Sequence, residues 1–176
     1  MEIDRSNFDR ETERFLSQIF RFLLASTRDV DLAETLTQEC FLKAHRNWRS
    51  FRGESSRKTW LVRIAINLLK DHWRNRRMQF WRTVRTNSVD LDVASEWLSS
   101  GERSVEQQLL ARERLRQVWA AVEGLSERQR TVLLLRYVEE QELSEIVAAT
   151  GLNVGTVKAH LSRAVARVRS ELGGRR

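Results

Sequence analysis

Trp60, Arg63, Asn67, Lys70, Asp71, Arg74 and Arg77 recur mostly at steps of three and four. At about 100 degrees per helical residue they fall on one arc of a helix. Cations beside an indole ring and a side-chain amide suit an unpaired nucleic-acid strand. Bases stack on the ring, the positive groups track the phosphates, and the amide can hydrogen-bond an extruded base edge. Asp71 is the odd member of this basic stripe, and an i,i+3 pair with Arg74 is its simplest reading. Trp60 and Trp73 are the candidate stacking platforms. Each also reads as a large core aromatic, Trp73 the more so because it borders the apolar arc.

A second group lies near the C-terminus, where Thr156, Lys158, Ala159, His160, Ser162, Arg163 and Arg167 flank an apolar stripe. Lysine and arginine can donate to guanine edges or phosphates, serine can contact either, and a helix fits the major groove. Gly151 offers a turn between two short helical patterns, with Ser144 a candidate cap for the first helix and Asn153 for the second. Leu152, Val157, Leu161, Val165, Val168 and Leu172 would hold the pair at a steep angle. The arrangement is that of a helix-turn-helix.

No residue pattern points to catalysis. Cys40 is the sole cysteine, so no internal disulfide can form, and a buried apolar thiol is its default role. His45, His72 and His160 are too scattered for a metal cluster. There is no glycine-rich phosphate loop or nucleophile motif, and no acid cluster suited to metal ions. No cofactor is expected.

The elements that must position these residues are helices. The chain has no proline and little glycine, and its apolar residues recur at three and four, so an all-α fold is expected. The first helix is expected over Phe8–Ala25, and the second from Asp31, capped with Glu34, to about Trp48. In the second helix Ala33, Leu36, Cys40, Phe41 and Ala44 can face a core, leaving Gln38, Glu39 and Lys43 on a polar surface that a partner could read. Gly53, Ser55 and Ser56 mark a loop before a third helix, Thr59 to about Arg77. That helix carries Leu61, Ile64, Ala65, Leu68 and His72 as its buried stripe. Four further helices are expected: Val105–Glu123, one from a Ser126/Gln129 capping box through Val138, Leu143–Thr150, and Asn153 to about Leu172. Residues 1–78 and 105–176 then form two small helical domains. Between them, residues 79–104, rich in turn formers and acids, read as a linker in which Trp81 and Trp97 are unusual.

Charge alternates in blocks along the 176 residues. Residues 1–42 net minus 4, residues 43–85 plus 11, residues 86–113 minus 4 and residues 114–176 plus 4, for a total of +7. The concentrated basic block is the footprint of a polyanionic partner. Neither a membrane-spanning apolar run nor a signal peptide is read in the chain, so no membrane insertion and a cytoplasmic location are expected.

Two sets of motifs, in order, resemble the extracytoplasmic-function sigma factors. Residues 33–41 (AETLTQECF), 47–56 (NWRSFRGESS) and 59–67 (TWLVRIAIN) resemble the family's region two, while 125–130 (LSERQR) and 154–158 (VGTVK) resemble region four. The resemblance implies a non-enzymatic factor that brings core RNA polymerase to promoter DNA, both duplex and opened strand, and that an anti-sigma factor can hold. It implies further that Gln38 and Glu39 meet a coiled coil of the polymerase's largest subunit. Asn67 would read a flipped base of the minus-ten element, with Asp71 one turn later, and Arg63, Lys70 and Arg74 would hold the opened strand. Lys158, Ala159, Ser162 and Arg163 would read the minus-thirty-five element. Thr35, Cys40 and Gln141 depart from the family's usual acid, threonine-like residue and glycine. The competing reading is a conventional helix-turn-helix regulator with a C-terminal domain like the LuxR type, which would bind duplex operators without polymerase.

Overall fold

The computed structural model describes residues 5–48, 51–80 and 105–173, with side chains described outside 5–13, 76–80, 105, 106 and 108. The described residues form seven helices and no strand: α1 (Arg5–Thr27), α2 (Val30–Asn47), α3 (Arg57–Phe80), α4 (Val105–Glu123), α5 (Glu127–Tyr137), α6 (Leu143–Thr150) and α7 (Val154–Gly173). The region between α3 and α4, with Trp81 and Trp97, lies outside the described residues.

Helices α1, α2 and α3 pack on one another around Ile19, Phe22, Leu23, Ala33, Leu36, Cys40, Ala44, Leu61, Ala65 and Leu69, all buried. The small residues of α2 (Ala33, Cys40, Ala44) let neighbouring helices approach closely, and the larger side chains of α1 and α3 fill the remaining space. The N-cap of α2 is Asp29, whose Oδ1 accepts from the Leu32 amide at 3.0 Å, and not Asp31. Asp31 sits in the first turn, where a carboxylate still favours the helix dipole. α3 starts two residues before the expected Thr59: Ser56 Oγ accepts from the Thr59 amide at 3.1 Å and bonds the Thr59 hydroxyl at 2.8 Å.

Helices α4 to α7 form the second group around Val122, Leu125, Val132, Leu135, Ile146, Val157 and Ala164. The Ser126/Gln129 capping box stands as expected: Ser126 Oγ accepts from the Gln129 amide, and Gln129 Oε1 accepts from the Ser126 amide. α6 keeps its expected bounds but not its expected cap. Glu145 accepts from the Glu142 amide at 2.9 Å, and Ser144 takes no part. Gly151 turns the chain in the left-handed region (φ +71), and Asn153 Oδ1 receives the Thr156 amide at 2.8 Å to open α7. Leu172, expected in the packing stripe, is exposed, while Ala164 is buried instead.

The two groups touch. α3 packs on α6, α1 packs on α5, and the apolar core runs without a break from one group into the other. The buried face of α3 is accordingly wider than one stripe: Val62, Ile66 and Leu69 are buried along with Leu61, Ala65 and Leu68, while Ile64 and His72 are only partly covered.

Candidate nucleic-acid interface

Asn67, Lys70 and Arg74 are exposed along one arc of α3, Asp71 is half-buried there, and Arg63 is exposed at its edge. Arg74 Nη2 meets Asp71 Oδ1 at 2.9 Å, the i,i+3 pair expected from the sequence. With this partner the carboxylate neutralises one cation and leaves a net positive surface around Asn67. Arg77 lies on the last turns of α3, beyond the described side chains.

Trp60 is half-buried at the start of the same arc. Its ring sits 5.2 Å from Phe51 and 6.1 Å, edge-on, from Trp48, while Trp48 and Phe51 stack at 6.0 Å. Arg57 lies over Trp48 at 5.5 Å. The loop over residues 51–56 is thus anchored by an aromatic cluster, and Trp60 is packed against that cluster while staying partly accessible. Trp73 does not join this arc. It is half-buried beside Ile66, Lys70, Arg128, Thr131, Val132 and Leu152, lining a cavity of about 380 Å³ between the two helical groups.

On α7, Lys158, Ser162, Arg163 and Arg167 are exposed, and Thr156 and Ala159 are half-buried. The apolar side of the helix, with Val157 and Ala164 innermost, rests on α4, α5 and α6. His160 departs from its expected place on the exposed surface. It is half-buried, with Nδ1 covered, and burial together with the Arg163 and Arg128 guanidinium groups holds its pKa below the usual imidazole value. A neutral imidazole adds no positive charge for a phosphate near pH 7. Arg167 leans over Gly124 at the end of α4, so His160 and Arg167 occupy the flank of α7 that faces its own domain.

Gln38 and Glu39 are exposed on α2, and Lys43 Nζ pairs with Glu39 Oε1 at 3.4 Å. Beside Gln38 lies a groove of about 770 Å³ that also contains Leu16, Phe20, Phe41, Leu42 and His45. Leu16 and Leu42 are 48% and 56% exposed, a large apolar area for side chains that sit off the buried stripes. Sequence reading missed this patch. Its signal was two leucines at positions where an amphipathic period calls for polar residues.

Cys40 is buried, its Sγ contacts the Leu61 carbonyl at 3.6 Å, and burial pushes its thiol pKa up to about 12. Thr35 is exposed and turns its hydroxyl to the Asp31 carbonyl. Gln141 is fully buried. Its backbone N–H donates to the Leu135 carbonyl at 2.9 Å and its backbone carbonyl accepts from Arg136, while the left-handed turn residue is the preceding Glu140 (φ 52). Among the described residues no group of His, Cys, Asp and Glu is arranged to hold a metal ion, and no helix is long and apolar enough to cross a membrane.

Residues 12–79 match the family model for Sigma-70 region 2, and residues 115–168 match that for Sigma-70 region 4. The chain is 37% identical over 133 residues to the ECF RNA polymerase sigma-E factor of Escherichia coli (strain K12), covering 73% of this chain and 68% of that protein. It is 26% identical over 161 residues to the ECF RNA polymerase sigma factor SigX of Bacillus subtilis (strain 168), covering 91% and 80%. Among solved structures, the sigma factor RpoE in complex with the anti-sigma factor NepR from Bartonella quintana aligns with a TM-score of 0.76 at 25% identity, over 97% of this chain and 99% of that one. A conventional regulator sharing only the final helix-turn-helix would leave α1 to α3 without an explanation, so that alternative is not favoured. The chain belongs to the extracytoplasmic-function subfamily of the sigma-70 family of RNA polymerase sigma factors.

Proposed function

We propose that residues 1–78 engage core polymerase and the opened minus-ten strand, that 105–176 read the minus-thirty-five duplex, and that 79–104 link them. The observation that carries this reading is the division of α3. Two of its sides are buried, and the third presents Asn67, Lys70 and Arg74 to solvent beside the accessible part of Trp60. A helix fixed on two sides can hold such groups in place without ordering them at the moment of binding, which lowers the entropic cost of capturing a strand.

In this reading Asn67 hydrogen-bonds the edge of a flipped minus-ten base. Arg63, Lys70, Arg74 and Arg77 hold its backbone, and Asp71 orients Arg74. Trp60 borders the stacked bases. Unstacking costs a few kcal/mol per step, and capture of the displaced strand offsets that cost, so opening needs no nucleotide hydrolysis by the factor. Lys158, Ala159, Ser162 and Arg163 face the major groove, with Thr156 at the start of the recognition helix. His160 and Arg167 act at its flank. Gln38, Glu39 and Lys43, with the Leu16/Leu42 groove beside them, form the polymerase-facing surface. The protein works in the cytoplasm, performs no chemistry, and is open to control by an anti-sigma factor, since the Bartonella quintana relative is held by one.

Reconstitution tests the proposal. Added to core polymerase freed of sigma factors, the protein is expected to yield promoter-specific initiation. Binding to duplex DNA with no initiation would overturn the proposal.

A further inference from the structure

The cavity that Trp73 lines has two unlike sides. Its inner wall is apolar: Ile66 of α3 and Val132 of α5 are buried there, 2% and 0% exposed, and half-buried Leu152 of the α6–α7 turn adds a third aliphatic side chain. Trp73 lines the same space with its half-buried indole. Among the described residues no second ring and no cation lies on that indole.

The hydroxyls of the wall are already committed. That of Thr131 donates to the Glu127 carbonyl at 2.8 Å, and that of Thr150 donates to the Ile146 carbonyl at 2.6 Å while accepting from the Leu152 amide. No buried, unpartnered polar atom of the described residues belongs to the lining. A sugar or a phosphate group placed inside would give up its water and find no free donor in return. An apolar body meets no such cost. The outer side is the reverse. Lys70 and Arg128 line the cavity from exposed positions, and neither takes part in an ion pair among the described residues. Glu127 is the one acid of the lining, and its charge also acts on Arg130. Two cations against one shared acid leave this side net positive.

We propose that the cavity is a binding site for a small aromatic carboxylate, whose flat ring lies against Trp73 among Ile66, Val132 and Leu152 and whose acid group rests on Arg128 and Lys70. The volume of about 380 Å³ is within the range of small-molecule sites. A ring is favoured over an aliphatic body because it gains offset or edge-on contact with the indole beyond the area it buries. A carboxylate suits the planar fork of Arg128, which can donate to both of its oxygens, and its single charge matches the excess of one cation in the lining. Lys70 is the one residue this site shares with the arc of α3 assigned above to the opened strand.

Indole-3-carboxylate is the probe, titrated calorimetrically into the full-length protein with neither DNA nor polymerase present, so the outcome does not depend on whether the chain initiates transcription. Saturable binding with a Kd on the order of 0.1 mM is expected. Indole, which lacks the acid, should bind at least about tenfold more weakly. Arg128→Gln and Lys70→Gln should each weaken the carboxylate about tenfold and leave indole unchanged, while Leu152→Trp, which fills the space, should abolish binding of both. Arg112→Gln removes an exposed cation from α4, outside the lining, and should change neither. Methyl NMR signals of Ile66, Val132 and Leu152 should shift along the calorimetric curve. Arg128 and Lys70 are exposed, so their variants keep the test valid should Leu152→Trp disturb folding, which helical circular dichroism checks. No saturation up to about 10 mM, indole bound as tightly as its carboxylate, Arg112→Gln as damaging as Arg128→Gln, or methyl shifts that miss these three side chains would each overturn the proposal.

Discussion

Asn67 stands exposed between Arg63 and Asp71, a turn from each. If it reads an extruded base, removing it takes away a hydrogen bond made only in the opened state. Asn67→Ala should then slow promoter opening about tenfold, roughly the loss of one such bond, and leave duplex binding within about twofold. Permanganate footprinting of the opened region against band-shift binding to duplex separates the two effects, and equal losses would remove the base-pocket role. Cys40 makes a different prediction. Its thiol is neutral in the folded protein up to about pH 12, whereas an unfolded thiol ionises near pH 9.0. The raised folded value means that its stabilising share is intact below pH 9.0 and is lost progressively as the medium becomes more alkaline. Cys40 should resist thiol reagents at pH 8 until the protein unfolds, and Cys40→Ala should flatten part of the alkaline fall in stability seen by denaturant titration.

The α6–α7 turn shows how an element's geometry decides the sign of a substitution. Gly151 has φ +71 with no neighbouring atom close to an added Cβ, so Gly151→Ala meets backbone strain alone and should cost about 1 kcal/mol. Gly155 sits in the first turn of α7 at negative φ, where a Cβ would make only ordinary contact with Asn153 Oδ1. Gly155→Ala should therefore be neutral or stabilising by up to about 1 kcal/mol, so thermal melts should show a lowered Tm for Gly151→Ala and an unchanged or raised one for Gly155→Ala. The same region marks what a sequence can and cannot reveal. The start of α5, the end of α6 and the start of α7 fall where caps and breakers place them, because Ser126, Gly151 and Asn153 each have one local job that no neighbour can do as well. The cap of α2 moved to Asp29, and that of α6 to the Glu142–Glu145 pair, because several cap formers share one turn and only the path of the incoming chain selects among them. The polar arc of α3 was legible, since charge and amide recur on one side. The burial of Val62 and Ile66 was not, because a period tells which residues face a core and not how many cores a helix serves.

At the scale of the whole chain, the charge blocks forecast a polyanionic partner but gave no sign that the two helical groups would pack together. That contact includes Glu139, whose neighbours in sequence are ordinary turn residues and which meets Arg21 of α1 and Lys58 of α3, the latter more than eighty residues away. Desolvation raises the Glu139 pKa, more than Arg21 of α1 and Lys58 of α3 lower it, and adjacent Glu140 adds to the rise. In an open chain the carboxyl returns to water and to a value near 4.5. The closed form thus binds a proton more readily than the open form in the range above that value, so closure should strengthen as pH falls into the window and weaken as pH rises out of it. Acidification from about pH 8 to about pH 5 should therefore tighten the contact between the two helical groups, read as a shorter mean distance between dyes attached to exposed positions of α2 and α7. Glu139→Gln keeps the shape and removes the titration. It should make the contact between the two helical groups tighter at neutral pH and remove this share of the response, whereas changes arising from other groups would persist in it. If the glutamine variant follows the same pH curve as the wild type, Glu139 is not the group that couples this contact to pH.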